Sequence, residues 1–334
     1  MESILQFTNK GIYCPEGKFY IDPWRPVKKA LITHAHADHS RSGHQHYLAH
    51  HHSENIMRQR LGDDIQIETT EYGKSINING VKASFHPAGH IPGSAQIRLE
   101  FKGRIAVVSG DYKLEDDGLS TAFEPVKCHE FVTETTFGLP IYQWKPQVEI
   151  FNEINKWWKQ NKENEKTSVI FAYALGKAQR IMKNVDSEIG KIYTHGAVEN
   201  ATEALRRTGL QLPETLKITN EIPKKDYQGN LVIATPASIG TAWMKKLAPY
   251  STGIASGWMM LRGTRRRKAA DRGFVLSDHA DWNGLLEAVK LSEAETVYST
   301  HGYSNAFTKY LQEQGLNAIS LDTQFEGESL DSEL

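Results

Sequence analysis

The run Leu31-Ile32-Thr33-His34-Ala35-His36-Ala37-Asp38-His39 places three imidazoles and a carboxylate within six positions, directly behind an apolar stretch. Ala30, Leu31 and Ile32 read as a buried strand, after which the chain breaks into a polar segment carrying Ser40 and Gly43. Side chains alternate along extended backbone, so His34 and His36 project to one side. Asp38 and His39 follow where the chain curls, and all four side chains can then face one point. Packing gives no reason for such a cluster. Neutral imidazole nitrogen and carboxylate oxygen are the donors zinc prefers, so the pattern HxHxDH reads as the start of a metal site.

Ligands in one turn can hold one metal and begin a second, but they complete neither. The missing donors stand at the ends of later apolar strands: His90 in Ala88-Gly89-His90-Ile91-Pro92-Gly93-Ser94, Asp111 in Ser109-Gly110-Asp111, and His301 in Thr300-His301-Gly302. Adjacent glycines permit tight turns that point each side chain into a common cleft. His34, His36 and His90 are expected to form one site and Asp38, His39 and His301 the other, with the Asp111 carboxylate joining them. His86 competes with His90, since both flank Pro87-Ala88-Gly89, and Asp111 also reads as a turn residue capping the next segment. The runs His44-Gln45-His46 and His50-His51-His52 fall beyond the site, in an expected helix and loop, and read as surface histidines.

Outward from this motif, the first third of the chain reads as short strands. Phe19-Tyr20-Ile21, residues 81–85, 97–101 and 104–108 are each closed by turn residues. Near Pro146 the rhythm changes. Residues 148–158 carry helical spacing, 160–167 a charged loop, 169–173 a strand and 177–185 a helix; strands at 191–194 and 231–234 alternate with a helix at 198–207. Alternation of this kind predicts a small α/β unit with a mostly parallel sheet. Ligand-rich strands return with 274–276 and 297–300. The organisation expected is residues 1–140 with 274–334 as one domain and 141–273 as an insert, the acidic tail fraying from about residue 325.

Lys+Arg 39 against Asp+Glu 40 leaves a net charge of −1, so a polyanionic partner must be met by a local patch. Cys14 and Cys128 lie far apart, which excludes a disulfide framework and fits a reducing cytoplasm. The first ten residues lack a signal-peptide pattern, and no apolar run approaches the ~20 residues that span a bilayer. A cytoplasmic protein with no membrane partner is expected.

With these residues in place, the chain resembles the β-CASP branch of metallo-β-lactamase-fold nucleases over nearly its full length. The resemblance rests on His34-Ala35-His36-Ala37-Asp38-His39, Thr133-Glu134-Thr135-Thr136-Phe137-Gly138, Ser277-Asp278-His279-Ala280-Asp281 and His301. It implies an α/β fold, a metallo-β-lactamase αββα sandwich with an inserted α/β β-CASP cap domain. It also implies that Glu134 is the branch's carboxylate, His279 the histidine returning from the cap, and His301 a metal ligand. Asp22 falls where the branch has a buried, non-ligating carboxylate that orients the metal loop; alone, it reads equally as a turn residue before Pro23. Residues 173–180 and Ala255-Ser256-Gly257-Trp258-Met259 are similar to a bacterial subgroup, the ligase-associated DNA exonucleases, relatives of mRNA 3′-end processing nucleases. That subgroup implies work on DNA beside a DNA ligase and a helicase. One departure matters: in eukaryotic members a histidine at the last motif accompanies RNA processing, whereas DNA-repair members carry valine, so His301 sides with RNA.

The expected chemistry is phosphodiester hydrolysis by two Zn2+, with Mn2+ as the alternative metal. A hydroxide held between the metals attacks phosphorus, His279 is the candidate general acid, and Glu134 holds its imidazole. Phosphate contacts are expected from Arg262, Arg265, Arg266, Arg267 and Lys268, in a stretch 262–272 with six basic residues and one acid. A solvated surface run is the alternative there. The expected function is a DNA exonuclease in repair or processing. The alternatives are an RNA exo- or endonuclease and a catalytically inactive nucleic-acid-binding scaffold.

Overall fold

The apolar run ahead of the histidines forms the strand Lys29–Leu31 in a computed structural model that describes residues 3–261 and 270–324. It lies fourth in a six-stranded sheet whose order follows the chain: Gln6–Thr8, Gly11–Cys14, Phe19–Ile21, Lys29–Leu31, His46–His50, Ile67–Thr70. The first three strands pair antiparallel and the rest parallel.

A second sheet has seven strands, in the order Ala318–Ser320, Thr296–Thr300, Glu130–Glu134, Arg104–Val108, Ala95–Phe101, Val81–Pro87, Ile76–Ile78. The half from Arg104–Val108 to Ala318–Ser320 is parallel, the other half antiparallel. Side-chain alternation sends neighbouring residues to opposite faces. Val108 and Val132 join Phe19, Leu31, Leu48, Phe85 and Ile97 in a core shared with the first sheet. Val107 and Phe131 point the other way, against Trp282 and Leu285 of the helix Trp282–Ser292 and Phe307 and Leu311 of the helix Ser304–Glu313. Each such buried side chain contributes roughly 1.5–3 kcal/mol, so both faces of this sheet are fixed by packing.

The described residues divide into two compact units, one ending its first segment at Gln143 and resuming at His279, the other running Trp144–Asp278. The second unit has a six-stranded sheet, all parallel, in the order Leu216–Lys217, Ile192–Thr194, Leu231–Ala234, Thr167–Phe171, Tyr250–Ala255, Arg272–Phe274. Its strands are apolar on both sides, as sheets covered on two faces require: Ile170 and Ile233 meet Trp158 and Ile181, while Val169, Phe171 and Val232 meet Tyr227 and Leu247. The helices Gln147–Glu163, Lys177–Asn184 and Gly196–Arg207 carry the expected periodicity.

Two expectations need correction. The charged stretch after residue 160 begins as helix, not loop, since Gln147–Glu163 continues through it. Asn161 is buried there and its Nδ2 donates to Ser168 Oγ at 2.9 Å, while the charged neighbours face solvent. The histidine runs are not all on the surface: His44 is buried and His50 is buried at the end of the strand His46–His50. Among the described residues, no helix is long and apolar enough to cross a membrane. Arg262, Arg265, Arg266, Arg267, Lys268 and the tail from residue 325 lie outside the described residues.

Candidate metal centre

Strand ends deliver the donors. Residues 33–39 leave the carboxyl end of Lys29–Leu31, and the Ala95 amide donates to Thr33 O at 2.9 Å, tying that exit to the second sheet. Asp111 follows Arg104–Val108, Glu134 is the last residue of Glu130–Glu134, and His301 follows Thr296–Thr300. These three strands are parallel neighbours, with Val108 opposite Val132 and Glu134 opposite Thr300, so their carboxyl ends share one edge. The turns there demand glycine. At Gly89 (φ +74°) a Cβ would lie 2.2 Å from Lys113 O, and at Gly302 (φ +67°) one would lie 2.4 Å from Thr135 O. The first turn sets His90, the second His301. Ser94 Oγ accepts the amides of His90 and Ile91 at 3.1 and 3.2 Å and shapes the His90 loop.

The side chains converge. His36 Nδ1 lies 3.1 Å from both His34 Nε2 and His90 Nε2. Asp111 Oδ2 is 3.5 Å from His34 Nε2 and 3.8 Å from His90 Nε2. Four donors around one zinc at 2.0–2.1 Å stand about 3.3–3.4 Å from one another in a tetrahedron. The distances observed bracket that edge, so His34, His36, His90 and Asp111 fit such an ion. A second group shares the same carboxylate: His39 Nε2 is 3.5 Å from Asp111 Oδ2 and 3.6 Å from Asp38 Oδ2, and His301 Nε2 is 3.1 Å from Asp111 Oδ1. Asp111 thus stands between two groups of nitrogen donors. His86, the competitor of His90, faces Ser84 Oγ and Glu124 Oε1 instead, each at 3.0 Å, outside both groups.

The ring nitrogens turned away from the donor groups are held. Asp22 Oδ2 accepts from His39 Nδ1 at 2.8 Å, while its carboxylate also takes the Thr33 amide (2.8 Å) and Thr33 hydroxyl (2.5 Å). Thr33 Oγ1 lies 3.1 Å from His34 Nδ1, and Thr300 Oγ1 3.1 Å from His301 Nδ1. Contacts of this kind fix ring orientation and leave Nε2 directed at the centre. Thr33 was not among the expected site residues; a hydroxyl directly before the first histidine was its signal.

Electrostatics separates the rings. Burial pushes His34 well below the ordinary imidazole value, and the neighbouring histidine charges push the same way. Burial acts against a charged His39 too, but the Asp111 and Asp38 carboxylates overcome it and hold His39 well above that value. Burial would raise Asp111, yet His39 and His279 hold it well below the usual carboxylate range. Buried and ionised, Asp111 is therefore the anion around which the nitrogen donors gather.

Beside this cluster, His279 Nδ1 lies 3.0 Å from both oxygens of Glu134 and 4.0 Å from Asp111 Oδ2. Glu134 is itself pinned by the amides of Tyr112 (2.9 Å) and Thr136 (3.3 Å). All three side chains are buried. Within the second unit, buried Lys177 and Arg180 converge on Asp278, at 3.5 and 3.0 Å, and Arg180 also donates to Ser277 O at 2.7 Å. Their i,i+3 spacing on one helix was the available signal for that cluster.

No family model matches the chain. It is similar to a probable DNA ligase of Opitutus terrae, 30% identical over 321 residues that cover 95% of this chain and 31% of that protein. It is also similar to an RNase J-like protein of Methanocaldococcus jannaschii, 27% identical over 198 residues covering 54% and 45% of the two chains. Endoribonuclease YSH1 of Saccharomyces cerevisiae is 28% identical over 123 residues, 36% of this chain and 16% of its own. The chain thus spans less than half the length of each of these relatives, and about a third of the ligase. Among solved structures, a protein of unknown function from Enterococcus faecalis V583 shares the fold with a TM-score of 0.62 and 11% identity, covering 89% of this chain and 80% of that one.

Proposed function

Because the chain belongs to the β-CASP branch of the metallo-β-lactamase-fold nucleases, we propose that it is a two-zinc phosphodiester hydrolase, a DNA exonuclease acting in DNA repair or processing. The observation that carries the reading is Asp111, one buried carboxylate set between His34, His36 and His90 on one side and His39 and His301 on the other. The donors are nitrogen and carboxylate oxygen, which suits zinc and admits manganese. The core shared by the two sheets supports an αββα sandwich, with Trp144–Asp278 as the β-CASP cap.

His34, His36, His90 and Asp111 would hold one ion, and Asp38, His39, His301 and the same Asp111 the other. Ions held there supply a hydroxide nucleophile at neutral pH and neutralise charge in an in-line displacement. The protein's own residues do the rest. Glu134 takes the His279 Nδ1–H with both oxygens, which fixes the ring and leaves Nε2 to hand a proton to the departing alkoxide. Asp22 fixes the His39 tautomer from behind. Arg262, Arg265, Arg266, Arg267 and Lys268 are the proposed phosphate contacts.

The relative named as a probable DNA ligase supports DNA as substrate and a DNA ligase as partner; a helicase partner rests on the subgroup resemblance. Two buried free cysteines fit a cytoplasmic setting. RNA is the second reading, favoured by His301 and by relatives named endoribonuclease YSH1 and RNase J-like protein. End-labelled single- and double-stranded DNA and RNA, digested side by side with and without chelator, separate the two. DNA shortening progressively from one labelled end, and stopping with chelator, is the expected result. Cleavage of RNA alone would reject the DNA reading, and chelator-resistant cleavage would reject the metal one.

A further inference from the structure

The histidine run that follows the first site's strand forms a second cluster. His50 ends the strand His46–His50, and His51 and His52 open the helix His51–Leu61. Each offers a ring nitrogen, and these atoms all lie within 4.8 Å of one another. The rings are closely set, with centroids 4.2 Å apart for His50 and His51, 4.1 Å for His51 and His52, and 5.1 Å for His50 and His52. His50 is 1% exposed and stacked on Tyr72 at 3.8 Å, which fixes its ring. Its Nδ1 accepts the His52 amide at 3.4 Å, and its Nε2 is buried with no hydrogen-bond partner. A buried polar atom without a partner costs about 1–3 kcal/mol, so its retention calls for a reason. His51 Nδ1, also buried without a hydrogen-bond partner, lies 3.0 Å from Glu71 Oε2, which sets a carboxylate beside that open nitrogen. Burial lowers His50 to about 3 and also lowers His52, with the neighbouring rings adding to the effect, so both stand neutral with a lone pair to donate.

We propose that His50, His51 and His52, with Glu71 beside them, bind one further transition-metal ion of the zinc class, separate from the Asp111 centre. Three imidazoles with an adjacent carboxylate make a donor set suited to zinc, copper or nickel and unsuited to magnesium or calcium. The ion links three segments: the end of the strand His46–His50, the first turn of the following helix, and the residue after the strand Ile67–Thr70. The same helix start abuts the His90 loop. Ser53 Oγ donates to Gly93 O at 3.4 Å, and a Cβ on Gly93 would come within 3.0 Å of His52 Cβ. An ion here therefore braces the backbone on which the His90 loop rests.

The test uses the full chain, stripped with chelator and titrated with Co2+ alone, against the variant His51→Gln with His52→Gln. Both positions are partly exposed, so the variant keeps the buried His50 and its packing. Wild type is expected to take up one Co2+ per chain more than the variant and to show visible absorption bands that the variant lacks. Equal stoichiometry and equal spectra overturn the proposal. If the double variant loses its circular dichroism, the exposed Glu71→Gln replaces it: about a tenfold weakening of one Co2+ step is expected, and an unchanged titration overturns the proposal. Because the readout is a difference between two chains, it stands whether or not the Asp111 centre loads.

Discussion

Replacing Asp22 by Asn isolates what a residue behind a ligand does. The carboxylate takes three hydrogen bonds, from the Thr33 amide, the Thr33 hydroxyl and His39 Nδ1. A carboxylate only accepts, so His39 holds a proton on Nδ1, and an ion at Nε2 takes the place of the ring's other proton. In Asp22→Asn the amide oxygen still serves the Thr33 amide, but the NH2 group faces His39. Two donors cannot share that contact. The ring then gives up its Nδ1 proton and keeps the one on Nε2, which lies 3.5 Å from Asp111 Oδ2 and 3.6 Å from Asp38 Oδ2. The metal-free fold is thus little affected, losing about 1.5–3 kcal/mol at most for one charged hydrogen bond. Metal binding suffers directly, since a ring bound through Nε2 must carry its proton on Nδ1, where it now meets a donor in place of an acceptor. Loss of an orienting partner typically costs 10–100-fold in affinity, or about 1.4–2.7 kcal/mol. Competition titration with a chromophoric chelator should show one ion weakened by that factor and the ion at His34, His36 and His90 unchanged. Wild-type affinity for both ions in Asp22→Asn would refute the tautomer argument.

Further outcomes follow from the same geometry. His279→Ala should lower kcat roughly 10²–10⁴-fold while elemental analysis finds the wild-type metal content; loss of metal instead would make His279 a ligand. Gly302→Ala puts a Cβ 2.4 Å from Thr135 O and 2.5 Å from Thr136 Cα, both backbone atoms, at φ +67°. Left-handed backbone alone costs an alanine about 1–2 kcal/mol, so urea denaturation should show a loss above that, and an unmoved midpoint would contradict the packing. His44 is buried, and burial lowers it to about 4. Its unfolded form takes a proton near 6.5, so the folded state loses stability as pH falls from about 6.5 towards 4, and none above. The slope is about 1.4 kcal/mol per pH unit, and His44→Gln should remove that share of the acid sensitivity of the metal-free chain. An identical slope in the variant would place the proton elsewhere.

The readable part of the site was local. His34, His36, Asp38 and His39 crowd into one turn, and no packing pattern produces that by accident. His90, Asp111 and His301 were legible as candidates because each ends an apolar strand beside a glycine, and the close backbone approaches at Gly89 and Gly302 show why glycine stands there. Distance in sequence hid the rest. Nothing in the spelling of Glu134 and His279 brings them together; that depends on the segment before the helix Trp282–Ser292, tied down by the Ala280 amide on Tyr112 O at 2.7 Å, and only the resemblance pointed to the pair. His50 was misread as a surface residue because consecutive identical residues carry no period. The better signal was Tyr47-Leu48-Ala49, an apolar run that buries the residue ending it. The helix reaching Glu163 was cut short because its charged side faces water while buried Asn161 looks polar in sequence.

An inner strand of the second sheet also sets a timetable. Glu130–Glu134 pairs on one edge with Arg104–Val108, made just before it, and on the other with Thr296–Thr300. Roughly 160 residues must be synthesised between those partners, and at roughly 5–20 residues per second the wait is about ten to thirty seconds. During that interval one edge of the strand stays open, a template for unwanted pairing. The donors at His34, His36, His90 and Asp111 all emerge before the wait begins, whereas His279 and His301 emerge only at its end. A nascent chain can therefore assemble one donor group early, but the shared carboxylate gains His301 only when Thr296–Thr300 pairs, so the second donor group is completed by the closing of the sheet itself.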